Sequence, residues 1–270
     1  MNYVNCNKED LEKEYAALVA EYEEVKGKGL KLNMARGKPC EDQLNLSRPL
    51  LDVINSSTDC ITAHGADCRN YGELAGIDEC KNFFAEIFDV DPSDVMVGGN
   101  SSLNMMFDTI AGFMTKPVVE GCKPWYEVKN RKFLCPSPGY DRHFAITEYF
   151  DFDLIPVPMT ENGPDMDVVE KLVENDDSIK GIWCVPKYSN PLGITFSDET
   201  VKRFAALKPA AKDFRIMWDN AYCVHDVTDT PDELLSLMAE CRKTGNVDLP
   251  IMFTSTSKIT FPGSGVAAMA

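Results

Sequence analysis

The chain is short of positive charge, of histidine and of long apolar runs. Its 270 residues hold 27 lysines and arginines against 43 aspartates and glutamates, a formal charge of −16. Phosphate backbones are bound by basic faces, so this field argues against a nucleic-acid partner. No apolar run approaches the roughly 20 residues that span a bilayer. The start, Met1 to Asp10, is polar and acidic where a signal peptide would be basic and then apolar. Together these absences read as a cytoplasmic protein with no membrane partner. Three histidines, and ten scattered cysteines without a Cys-x-x-Cys spacing, argue against a zinc or other metal site and leave the cysteines as reduced thiols. Internal repeats, low-complexity tracts and flexible linkers are missing too, so any domain division must come from the fold.

With 44% hydrophobic residues, the chain can bury one large core or two small ones. Leu11, Tyr15, Leu18 and Tyr22 fall on one stripe of an amphipathic helix from about Lys8 to Lys26, closed by Gly27 and Gly29. Residues 31–49 read as irregular. From Asp78 onward, short β-rich runs alternate with helical ones. Val95–Val97 leads to a helix from Ser102, Lys132–Cys135 to one near Asp141, Leu154–Pro158 to Met166–Glu174, and Lys180–Val185 to Asp198–Leu207. Arg215–Trp218 precedes Asp232–Arg242, and Ile251–Thr254 leads to Lys258. The alternation predicts an α/β fold, a mainly parallel sheet covered by helices on both faces. Ligands of such sheets sit outside the carboxyl ends of the strands, and 98–101, 136–140, 187–190, 219–222 and 255–258 all fall on that rim. The ending, Gly265 to Ala270, reads as another apolar strand with no stop signal, so a C-terminal truncation is expected.

Ser255-Thr256-Ser257-Lys258 sets a lysine amine beside hydroxyls after the apolar run Pro250 to Phe253, and Asp219-Asn220-Ala221-Tyr222 supplies an acid and a phenol. A pyridoxal enzyme needs a lysine to hold the aldehyde as a Schiff base, an acid to keep the ring nitrogen protonated, and hydrogen bonds for the ring oxygen and the phosphate. Each residue also has a plainer reading: a solvated lysine, a helix-capping aspartate, a turn asparagine, a half-buried tyrosine. Desolvation beside a cationic ring would favour the neutral amine of Lys258, which could then shuttle a proton. Gly98 to Ser102 puts glycines and small polar residues at a strand-to-helix junction, where backbone N–H groups and the helix dipole attract a phosphate.

In order and spacing, 190–193, 219–222 and 255–258 resemble the class I, fold-type I aminotransferases. Tyr71 to Ile77 is similar to that family's tyrosine-containing loop, Gly98 to Ser102 to its phosphate-binding helix start, and Pro136 to Tyr140 to its cofactor-stacking segment. Ala35-Arg36-Gly37-Lys38-Pro39 and the run from Ser257 to Gly265 are most similar to the MocR-type or alanine-glyoxylate-like branch, which includes aspartate aminotransferases. The resemblance covers nearly the whole chain. It implies pyridoxal 5′-phosphate as cofactor, with Lys258 as the Schiff-base lysine, Asp219 at the pyridine nitrogen, Tyr222 and Asn190 at the ring oxygen, and Tyr140 stacked on the ring. Gly99, Asn100, Ser101, Ser255 and Ser257 would surround the phosphate, and Tyr71 would reach the phosphate of the neighbouring subunit in a homodimer. Arg36 and Gly37 sit where the family approaches its substrate; Arg36 could grip a carboxylate, and an ordinary surface arginine fits equally. Many members carry an arginine eight residues after the lysine, where this chain has Val266, and the family's α-carboxylate arginine lies beyond Ala270. Residues 1–49 are expected to form an N-terminal helix and part of a small domain, and residues 50–270 a large cofactor-binding domain. The expected function is ping-pong transfer of an amino group from an amino acid, aspartate by preference, to 2-oxoglutarate. A lyase or decarboxylase of the same fold, or a non-catalytic MocR-like regulatory module, is the alternative.

Overall fold

The computed structural model describes residues 3–33, 37–259 and 261–270. The chain divides into two compact units, Met1–Leu46 and Ser47–Ala270.

In the first unit, helix α1 (Lys8–Gly27) forms where the stripe predicts it. Asn7 caps it by accepting from the Asp10 amide at 2.9 Å, and Glu9 and Asp10 complement the positive end of the helix dipole. Tyr15, Leu18 and Tyr22 are exposed. Local pairs such as Lys13 with Glu9 at 2.9 Å support the helix from its surface. Helix α2 (Glu41–Leu46) corrects the expectation of irregular structure there. Gln43 reaches back to accept from the Cys40 amide at 2.9 Å, a side-chain cap that an apolar-periodicity reading overlooks.

The described residues of the second unit form an eight-stranded sheet. Its strands are β1 (Met96–Val97), β2 (Lys132–Ser137), β3 (Asp153–Thr160), β4 (Gly163–Pro164), β5 (Ile179–Cys184), β6 (Arg215–Asp219), β7 (Pro250–Ser255) and β8 (Ala267–Met269), in the order β1-β8-β7-β6-β5-β2-β3-β4. β7, β6, β5, β2 and β3 run parallel. β8 is antiparallel to β7 and β1 antiparallel to β8, so β1 points the same way as the parallel strands. Every residue of β5 and β6 is buried, as strands covered on both faces must be.

One face packs against α3 (Asp78–Phe88), α6 (Met166–Asn175), α7 (Asp198–Ala205) and α8 (Leu237–Thr244), with Phe84, Val169, Phe204 and Cys241 in the core. The other packs against α4 (Ser102–Thr115) and α5 (Asp141–Tyr149), around Met106, Ile110 and Ile146. Helix α8 starts at Leu237, not at the expected Asp232. Ser236 is its cap, accepting from the Ala239 amide at 3.0 Å, while Asp232 accepts from the Thr195 hydroxyl at 2.7 Å and gives its own amide to the Tyr188 oxygen. These tertiary bonds hold the 232 segment out of the helix.

Gly181 in β5 shows how tightly the second face is filled. A Cβ there would lie 2.5 Å from the Phe133 ring and 2.7 Å from the Arg215 carbonyl oxygen. Phe133 is locked between Trp125, Phe152 and Trp183. Gly181→Ala is therefore expected to destabilise the fold by about 1–3 kcal/mol, read as a lower urea midpoint; an unchanged midpoint would mean that the aromatic layer is soft. Among the described residues, no helix is long and apolar enough to cross a membrane.

Candidate active site

The carboxyl ends of the parallel strands meet at one small cavity. Tyr140, Asn190, Asp219, Tyr222 and Lys258 line it together, with Val185 and Ala221. Five residues spread over 119 positions of sequence are thus gathered by strand order alone. The Lys258 amine lies 4.8 Å from the centre of the Tyr222 ring. Lys258 as a whole is exposed, which corrects the expectation of a desolvated lysine. The apolar run before it ends with β7 at Ser255, and Lys258 stands beyond it on the turn Thr256–Lys258.

Asp219, the last residue of β6, is buried. Its Oδ2 accepts from His143 Nε2 at 3.0 Å, and its Oδ1 is buried with no hydrogen-bond partner among the described residues. A buried carboxylate oxygen left bare is costly unless a donor arrives. His143 is fixed on both sides: its ring stacks on Trp183 at 4.7 Å and meets the edge of Tyr140 at 5.0 Å. Burial, then the nearby Asp219 and Tyr140, pushes the Tyr222 phenol up, so it stays protonated and able to donate. His225 Nε2 lies 3.1 Å from the Lys258 carbonyl oxygen, which can only accept; Nε2 therefore carries the proton.

A second cluster forms at the start of α4. The Gly98 amide donates to the Ala267 carbonyl at 2.8 Å, and the Ala267 amide to the Gly99 carbonyl at 2.7 Å, which pins the glycine loop to β8. Ser257 donates its hydroxyl to the Asn100 carbonyl, and the Asn100 side-chain Nδ2 donates to the Pro262 carbonyl at 3.2 Å. Gly99, Asn100 and Ser101 are thereby brought beside the residue preceding Lys258. Ser101 caps α4 by accepting from the Asn104 amide at 3.3 Å, so its hydroxyl proton remains to donate. The first N–H groups of the helix lack intrahelical acceptors by construction of any helix. A Cβ at Gly98 would sit 2.9 Å from the Met105 sulfur, so the flexible Met105 side chain would have to yield, whereas a Cβ at Gly99 meets nothing within 4 Å.

Ser257 has one hydroxyl proton and gives it to the Asn100 carbonyl. Ser255 is buried at the end of β7, paired with Ala267. Val266, where an arginine was expected by resemblance, gives its amide to the Thr256 hydroxyl at 2.9 Å and packs against the core. Tyr71 is not in the cavity; it is 97% exposed, on a loop that the Val97 amide holds by the Ala75 carbonyl at 2.8 Å. Arg36 lies outside the described residues, and Gly37 is an exposed residue of the first unit.

Sequence reasoning missed His143, Trp183 and His225. The available signal was position: His143 follows Tyr140 by three residues on one helical turn, and His225 follows Tyr222 by three. Two of the three histidines, set aside for being too few to hold a metal, flank the site.

Residues 6–270 match the family model described as Aspartate amino-transferase. An aspartate aminotransferase of Corynebacterium glutamicum is 45% identical over 246 residues, covering 91% of this chain and 56% of its own length. A relative from Mycolicibacterium smegmatis is 44% identical over 268 residues, 99% of this chain and 63% of its own. The solved structure of an aspartate transaminase from Corynebacterium glutamicum superposes with a TM-score of 0.89 at 42% identity, over 98% of this chain and 62% of that one. The fold alone is shared with an α-aminoadipate aminotransferase of Thermus thermophilus solved with N-(5′-phosphopyridoxyl)-L-leucine, at 21% identity and a TM-score of 0.60, over 75% of this chain and 47% of that one. The chain thus spans between 56% and 63% of the length of the two relatives compared by sequence.

Proposed function

The chain belongs to the aspartate amino-transferase family, and from that premise we propose that it carries the cofactor-binding and proton-transfer residues of a pyridoxal-phosphate aminotransferase. The observation that carries the reading is Asp219: a buried carboxylate with one oxygen held by His143 and the other bare, in a cavity lined by Lys258, Tyr222, Asn190 and Tyr140. The bare oxygen fits a protonated pyridine nitrogen. The lysine amine and the open glycine turn at the start of α4 fit an aldehyde and a phosphate.

When bound, pyridoxal phosphate supplies an aldehyde that exchanges for the substrate amine and a protonated ring that withdraws electrons from Cα. Asp219 Oδ1 would accept from the ring nitrogen, while His143 on Oδ2 fixes the plane of the carboxylate. Tyr222, kept protonated by burial, and the Asn190 side-chain amide would donate to the ring oxygen. Ser101 and the first backbone amides of α4 would hold the phosphate with no arginine at Val266. Lys258 Nζ would hold the aldehyde and, when free, would be the base that takes the proton from the substrate Cα. Tyr140 screens one side of the cavity from water.

Aspartate as donor and 2-oxoglutarate as acceptor are the substrates proposed, on the name of the Corynebacterium glutamicum relative and on Arg36 as a carboxylate grip. Residues 1–49 are assigned to the small domain and the rest to the large one. The test is incubation of the cofactor-loaded protein with aspartate and 2-oxoglutarate, assayed for glutamate and oxaloacetate. Carbon dioxide or ammonia as the product instead would make it a decarboxylase or lyase.

We assign Tyr71, with its fully exposed side chain, to the phosphate of a second subunit. Mixing inactive Tyr71→Phe and Lys258→Ala proteins should then restore activity through one hybrid site, and a fully active monomer would exclude the shared site. His143→Leu removes a hydrogen bond to a buried carboxylate, worth about 1.5–3 kcal/mol when one partner is charged. It is expected to slow the aspartate half-reaction by roughly tenfold or more, followed by the cofactor absorbance in stopped flow; an unchanged rate would leave His143 a packing residue.

A further inference from the structure

Behind the sheet from the Lys258 cavity lies a second cavity of about 300 Å³, and none of the cofactor-site residues lines it. Its apolar wall includes Ile87, Trp218, Leu235 and Met252; Trp218 and Met252 belong to the core on the α3 and α8 face, opposite Met217 and Phe253. Lys187 and Asn220 interrupt that wall, beside Ser236. Lys187 has a side chain only 8% exposed, and its single hydrogen-bond partner among the described residues is Asp226 Oδ1 at 3.5 Å, with the Tyr188 ring 5.3 Å away. An ammonium carries three donors, so a nearly buried cation is left with most of its donors unmatched among the described residues. Asn220 Oδ1 is buried with no hydrogen-bond partner among the described residues. Glu86, near the end of α3, adds a carboxylate to the same lining, and the Asp89 carboxylate there is already held by Arg242 at 3.0 Å and by the Ser236 hydroxyl at 2.7 Å.

The complement of this surface is specific: an anion for Lys187, an N–H donor for Asn220 Oδ1, and an apolar group for the wall. Buried polar groups are satisfied in folded proteins, so the unmatched pair marks where a ligand's polar end belongs. Asp226 is half exposed and its contact with Lys187 is long, so it can turn to water at little cost when a ligand carboxylate takes its place. The volume lies at the lower end of small-molecule sites. We propose that this cavity binds a free α-amino acid with an apolar side chain of leucine size, its carboxylate on Lys187 and its ammonium on Asn220 Oδ1. The proposal does not rest on the reaction assigned to the Lys258 cavity.

Calorimetric titration of the cofactor-loaded protein with α-methyl-L-leucine tests it, because this probe has no Cα hydrogen and cannot be consumed by proton abstraction. Binding with a Kd near or below about 1 mM is expected, retained in Lys258→Ala and weakened at least about tenfold in both Lys187→Met and Asn220→Leu. Hexanoate, which lacks the amine, should bind about tenfold more weakly than the probe. If Lys187→Met does not fold, as judged by its unfolding transition, Asn220→Leu and the hexanoate comparison decide. No binding at about 10 mM, or binding that Lys258→Ala abolishes and Lys187→Met leaves intact, overturns the proposal.

Discussion

Lys258→Ala is expected to lower transamination by at least about 10⁴-fold, the upper end of what one positioned acid–base group supplies. The variant loses both the amine that holds the aldehyde and the base that moves the Cα proton, and no second lysine lines that cavity. Because Lys258 is exposed on a turn after β7, its truncation should leave the unfolding midpoint unchanged, so lost activity cannot be blamed on lost fold. Borohydride reduction of the cofactor-loaded wild-type protein, followed by peptide mapping, should place the label on Lys258 and nowhere in the variant. A label on Lys187, or turnover within tenfold of wild type, would sink the assignment.

Asp219→Asn is expected to cost roughly 10²–10³-fold in the rate of the aspartate half-reaction, the loss that follows removal of one preorganised electrostatic partner at a reacting centre. The amide has nearly the same shape and can keep one hydrogen bond to His143, but it carries no charge to hold a proton on the pyridine nitrogen. The buried carboxylate is itself a burden on the empty fold, with Oδ1 unpaired. Global stability in the cofactor-free protein should therefore stay level or rise, while cofactor affinity falls. The two readouts move in opposite directions, which separates a functional aspartate from a structural one. Equal cofactor affinity in both proteins, with wild-type turnover, would remove Asp219 from the site.

The alternation of apolar runs and helical stretches sufficed for the parallel sheet, because strands buried on both faces are mostly apolar, and Ile179–Cys184 and Arg215–Asp219 carry charge only at Lys180, Arg215 and Asp219. Once that sheet was predicted, the rim on which 136–140, 187–190, 219–222 and 255–258 meet followed from strand direction alone. The family was equally legible, because 190–193, 219–222 and 255–258 resemble its motifs in order and spacing. What the sequence could not display was every relation that depends on a partner distant along the chain. His143 and Asp219 are 76 residues apart and meet at 3.0 Å only because β2 and β6 flank β5. The Ser257 hydroxyl looks free until β8 draws the Asn100 loop beside it. Lys258 looks desolvated until the strand before it is seen to end three residues short. Local periodicity records which face a residue turns to the core; which donor finds which acceptor is settled by tertiary packing, where a bond lost or gained across the sheet outweighs any local preference.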